Sequence, residues 1–216
     1  MSSANCGEEF QAKIGEAASN MYQLVIQLLS KEEDAVSVVE SFVAGLEVRN
    51  SEDCKSSRIK LINEDGSHVE VLATEANDSQ ARLESKRRLV ATALKRLAAR
   101  DANLLAVPDI AAKTRKICVD CEDLAASGIT HAVFEDLLHG TRSAQVRAWL
   151  DGLDPVTRTV FVLRATAGFS SAETAQLLVA NGGAVAAGWT QAAVSNTYRA
   201  GLCSLAASVI QSAGRA

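Results

Sequence analysis

The chain has 216 residues, 48% of them hydrophobic and 22% charged, with two prolines and a formal net charge of −4. That apolar content suffices for two small helical cores or one larger one, and so few prolines suit helices joined by short loops. A net negative balance excludes general coating of nucleic acid, which rests on clustered cations and counterion release, so any role on DNA has to be local. No apolar run reaches the length of a bilayer, and the N-terminus lacks the basic, apolar and small succession of a secretory leader. The expectation is a cytoplasmic protein with no membrane partner, its five cysteines reduced.

In chain order, Met21, Leu24, Val25, Leu28 and Leu29 form one helical stripe. Ala35, Val38, Val39, Phe42 and Leu46 form a second, after a Lys31-Glu32-Glu33-Asp34 junction, and the two can pack as a helical hairpin. Arg58 to Ile62 and His68 to Leu72 then alternate apolar and polar around Asn63-Glu64-Asp65-Gly66, which reads as a β-hairpin. Helix resumes near Ser79, with Leu83, Val90, Leu94, Leu97 and Leu104 as its core stripe. Arg82, Lys86, Arg87, Arg88, Lys95, Arg96 and Arg100 make its opposite face the densest basic surface of the chain, suited to phosphate contact or simply to solvent.

Between Ala106 and Ser143, Pro108, Gly128 and Gly140 interrupt weaker helical patterns such as Ile110 to Ala126, which marks a connector. Cys118 and Cys121 have the C-x-x-C spacing, with His131 and His139 downstream. The histidine spacing is wider than that of a zinc finger and no second cysteine pair appears. A helix would place both cysteines on one face as small hydrophobes, so no metal and no cofactor are expected. No phosphate-binding glycine loop, zinc-protease helix or nucleophile elbow is present, and an enzyme is not expected.

The C-terminal stretch carries the strongest local signals. Asp154 is a natural N-cap, Pro155 fits the first helical position and Gly168 fits a C-terminal cap. Val156, Val160, Phe161 and Leu163 supply the apolar face between them, and Arg158 and Arg164 are expected to point outward. Ser170 stands three residues before Glu173, the spacing of a capping box, followed by Ala172, Ala175, Leu177 and Leu178. After the Asn181-Gly182-Gly183 break, Thr190 caps a third helix running to about Ile210, with Val194, Tyr198, Leu202, Leu205 and Val209 on its apolar face. Thr190, Gln191, Ser195, Asn196 and Arg199 are types that reach base edges or hold phosphates from the start of a recognition helix. Pattern alone serves a plain three-helix bundle equally well.

The wording "LDGLDPVTRTVFVLRATAGFSSAETAQLL" followed by "TQAAVSNTYRAGLCSL" resembles the C-terminal region 4 of sigma-70 family factors, especially the short extracytoplasmic-function group. The N-terminal "SNMYQLVIQLLSKEEDAVSVVESFVAGL" is similar to the start of sigma region 2. The resemblance implies a mainly α fold of two helical lobes joined by a linker, with a C-terminal helix-turn-helix and a small β-hairpin insertion in the N-terminal lobe. Residues 1–105 would form the region 2-like lobe with its hairpin near 58–72, residues 106–145 the linker and residues 146–216 the region 4-like lobe.

It further implies a transcription initiation factor that binds core RNA polymerase and directs it to promoter DNA, with an anti-sigma factor as a further partner. Thr190, Gln191, Ala192, Ser195 and Asn196 would face bases, Arg199 would lie near the backbone, and Arg87 and Arg88 would add DNA contacts. Asp34, Ser37, Glu40 and Ser41 would be the exposed contacts to polymerase. The chain departs from the family in the hairpin, in a longer Ala/Gly-rich turn from Val179 to Trp189, and in having no aromatic residue between Phe42 and Phe134. Since promoter opening uses stacking on aromatics, the missing aromatics, with the lengthened turn, favour an alternative: a sigma-like adaptor or decoy that binds polymerase or a regulator without melting promoters.

Overall fold

The computed structural model describes residues 18–44, 46–49, 58–62, 68–72, 78–109 and 143–213, and over these the chain is mainly helical. It divides between Ala93 and Leu94 into two compact units. In the first, helix α1 (18–29) and helix α2 (Glu32–Ala44) are separated by Ser30, the one described non-glycine residue with positive φ, at 55°. The acidic Glu32, Glu33 and Asp34 do not form the junction; they make the first turn of α2, where the helix dipole favours negative charge. Leu24, Val25, Leu28 and Leu29 on α1 and Ala35, Val38 and Val39 on α2 are buried.

Leu46 does not continue the stripe of α2. It opens strand β1 (Leu46–Arg49), because the Leu-Glu-Val-Arg alternation has the period of a strand. β1 pairs antiparallel with β2 (Arg58–Ile62), Leu46 opposite Leu61, and β2 pairs antiparallel with β3 (His68–Leu72), Arg58 opposite Leu72.

Helix α3 (Asp78–Arg100) contains the dividing point. It stops before Leu104, which is therefore not part of its stripe: Asp101 Oδ1 accepts from the Asn103 N–H at 2.8 Å, and Leu104 N–H turns back to Asp101 O. Such local side-chain bonds compete with helix continuation. Leu105, one residue on, is the buried one.

The second unit contains helices α4 (Ser143–Gly152), α5 (Pro155–Phe161), α6 (Ser171–Asn181) and α7 (Gln191–Ala213). Nothing in the sequence pattern marked α4, whose described buried residues, Val146 and Leu150, stand one turn apart. Asp154 caps α5 through the Thr157 N–H at 3.0 Å, with Pro155 at its first position. α5 then widens into a π-helical turn, Val162–Thr166, in which Ala167 N–H reaches Val162 O, and Gly168 follows at φ 78°. The Ser170 and Glu173 side chains each accept the other's backbone N–H, at 3.1 and 2.9 Å, completing the capping box of α6. A 3-10 turn, Ala184–Gly188, leads to α7, whose Val194 and Leu205 pack against α5 and α6.

Among the described residues no helix is long and apolar enough to cross a membrane, and no three metal-ligating side chains cluster. Cys118, Cys121, His131 and His139 lie outside the described residues, as does most of the expected 106–145 linker.

Candidate nucleic-acid interface

The start of α7 presents an exposed polar surface that the sequence singled out. Thr190 holds the helix start, its Oγ1 accepting from the Ala193 N–H at 3.1 Å. Gln191, Ala192, Asn196 and Arg199 are exposed, and at an ideal advance of about 100° per residue they span an arc of about 140°. Val194, Thr197, Gly201 and Leu205 are buried on the other side. Arg199 is the one charged residue between Gln191 and Ala213, so α7 itself sets no carboxylate against an approaching phosphate. Ser195 differs: its hydroxyl donates to Ser171 Oγ at 3.1 Å, tying α7 to the start of α6.

The aromatic residues hold this helix in place. Phe161 packs edge-on to Trp149, centroids 5.0 Å apart, and tilted against Tyr198 at 5.3 Å. Gly201 lets the two helices approach, since a Cβ there would come within 2.7 Å of Phe161 Cδ2. The Trp149 indole donates to Ser204 Oγ at 3.1 Å.

Arg158 and Arg164 do not point outward. Arg158 is 8% exposed, and burial pulls its guanidinium below the ordinary range, against the opposing charge of Asp151. Arg164 lies over the Tyr198 ring, 5.2 Å from its centroid, and donates through Nη1 to Phe169 O. Each keeps a buried Nε with no hydrogen-bond partner. The charges acting on Arg158 are those of Asp151, Arg100 and Asp154, and only Arg164, in the π turn, is held against α7. Arg158 is thereby buried, whereas Arg164 is half-buried.

On α3, Arg87 and Arg88 both turn to Glu84, at 4.0 and 3.4 Å, and Arg88 Nη1 is buried. Lys86, Lys95, Arg96 and Arg100 are exposed on that helix. On α2, Glu40 and Ser41 are exposed and Asp34 and Ser37 half-buried, with Ser41 Oγ donating to Ser37 O at 2.8 Å.

Sequence reasoning missed Trp189. It is 4% exposed and its Nε1–H donates to the Leu105 carbonyl at 2.8 Å, both residues belonging to the second unit. The one available signal was a lone indole in an otherwise Ala/Gly-rich, uncharged stretch, a residue too large for that company unless it is anchored elsewhere. No family model, curated protein or solved structure matches the chain.

Proposed function

We propose that the chain is a sigma-like transcription initiation factor that binds core RNA polymerase and directs it to promoter DNA. The observation that carries the reading is the single-sided start of α7, with Gln191, Ala192, Asn196 and Arg199 exposed behind a capped helix and turn. This is the residue chemistry of a recognition helix in a helix-turn-helix, with amide groups for base edges and one arginine for the backbone. In this reading the protein works in the cytoplasm by recruitment, without catalysis or cofactor. The α2 face at Asp34, Ser37, Glu40 and Ser41 meets polymerase, the connector joins two lobes, and the strands at 58–72 are an insertion in the first. Because the chain is net negative, affinity comes from two weak attachments to one assembly and not from either alone. Phosphate contacts from α3 come from Arg87 and Arg88, and the exposed Arg96 and Arg100 of the same helix add to them.

A second reading, a polymerase-binding adaptor or decoy, is favoured by the absence of aromatic residues between Phe42 and Phe134, which removes stacking platforms for melted bases. Co-elution with core polymerase, combined with transcription from fragments upstream of the protein's own gene, separates the two. Binding with promoter-dependent transcripts supports initiation; binding without them supports the adaptor. The double variant Gln191→Ala, Arg199→Ala is expected to weaken binding to promoter fragments at least tenfold in a mobility-shift titration, because it removes one bond to a base edge and one to a phosphate. Its unfolding midpoint should match the parent, because both side chains are exposed; a large fall in stability would make them structural.

A further inference from the structure

The eleven residues from Val179 to Trp189 carry no charged side chain, and their small size has a use in the second unit. A Cβ on Gly182 would stand 3.4 Å from Leu105 Cβ and 2.6 Å from Ala186 Cβ, and one on Gly188 would stand 3.5 Å from Val107 Cγ2. The tight approaches at Gly182 lie inside the segment itself, 2.6 Å to Ala186 Cβ and 2.7 Å to Leu178 O, while the residues that follow α3 stand at ordinary contact distance from it. Leu105 is fully buried there, and its carbonyl receives the Trp189 indole N–H in a buried hydrogen bond of 2.8 Å. Trp189 is the chain neighbour of Thr190, the residue whose hydroxyl caps α7. A buried, hydrogen-bonded indole immediately before the cap removes most of the freedom with which the first turn of α7 could tilt or fray.

We propose that Trp189 is a positioning residue: its buried bond to the Leu105 carbonyl fixes where the first turn of α7, and with it Gln191, Ala192 and Asn196, stands. The Ala/Gly-rich insertion is then a docking seat for the start of the connector and not a slack turn. The proposal takes from the DNA reading what α7 contacts, while the tie itself rests on the second unit alone.

Amide hydrogen exchange on the full chain tests the tie without a ligand. The chain has two tryptophans, and the Trp189 indole N–H exchanges much more slowly than that of Trp149, whose bond to Ser204 is exposed. Trp189→Phe keeps an apolar ring, removes the donor and leaves the Leu105 carbonyl buried without it. Exchange at Ala193 and Val194 rises about tenfold, while Val160 to Leu163 keep their protection. No rise at α7's first turn, or an equal rise through α5 and α7, overturns the positioning role. So does a fast Trp189 indole in the unaltered protein, a measurement that needs no variant to fold.

The functional arm uses a duplex enriched from a randomised pool by the unaltered protein with core RNA polymerase, over what polymerase alone enriches. Trp189→Phe then discriminates that duplex from a scrambled one about tenfold less well, with its salt dependence unchanged, because phosphate contacts survive a tilt that base contacts do not. Undiminished discrimination overturns the positioning role on DNA. A pool that the unaltered protein fails to enrich with core polymerase present overturns the DNA reading instead, and the exchange measurements then decide the tie by themselves.

Discussion

Tyr198 sits beneath the Arg164 guanidinium, 5.2 Å from ring centroid to cation, with Phe161 on its other flank. Burial raises the phenol above its ordinary pKa of 10.0, and the neighbouring Arg164 charge lowers it by less. The unfolded chain therefore gives up this proton at a lower pH than the folded one. Stability from the neutral phenol is complete below about pH 10 and is lost as pH climbs through the folded value. Urea titrations between about pH 9 and pH 11 are expected to show the parent losing stability and Tyr198→Phe losing less, the difference isolating this group from other tyrosines and lysines. Identical pH slopes would mean that the phenol is as well solvated folded as unfolded. Arg158 is under the same burial pressure with opposite consequence for its sign of charge: Asp151 and Asp154 oppose the desolvation, while Arg100 adds to it. Its guanidinium stays protonated, so the core of the second unit carries a permanent charge.

At the level of elements, the crossing of α5 and α7 depends on Gly201. Alanine there gains about 1 kcal/mol of helix propensity. It also drives a Cβ to 2.7 Å from Phe161 Cδ2, and Phe161 is fully buried between Trp149 and Tyr198 with nowhere to recede. Overpacking costs about 1–3 kcal/mol, so Gly201→Ala is expected to destabilise by about 1 kcal/mol net, read as a lower urea midpoint at unchanged m-value. A raised midpoint would mean that the aromatic cluster can shift. The same helices divide what was legible beforehand from what was not. Asp154 with Pro155, Ser170 with Glu173, and Thr190 were readable because a cap is a bond across three residues, and the exposed face of Gln191, Asn196 and Arg199 followed from the helix period. The π turn at Val162–Thr166 was not, since one extra residue in a turn is chosen by packing and leaves no spacing of its own. Arg158 was expected outside and lies inside, because helical period gives a direction but not how near the next helix stands. The hydroxyl of Ser195 was assigned to bases while its partner Ser171, 24 residues away, was invisible to any local window.

For the whole chain, the described strand pairings join neighbours in sequence, β1 to β2 to β3, and the capped helices α5, α6 and α7 follow one another within some sixty residues. The bond between Trp189 and Leu105 spans 84 positions. Closing so long a loop is an entropic cost that has to be met before the contact returns anything, so such contacts tend to form after local ones. Indole burial should then come late in folding, after α5, α6 and α7 have associated. A stopped-flow experiment following tryptophan emission is expected to find that Trp189→Phe speeds unfolding severalfold and barely changes the folding rate. A matching fall in the folding rate would put the contact in the nucleus. A contact made after the transition state leaves the folding rate alone and acts only on the way out, so the tie across 84 positions works as a latch on the second unit, slowing departure from the native state without hastening arrival.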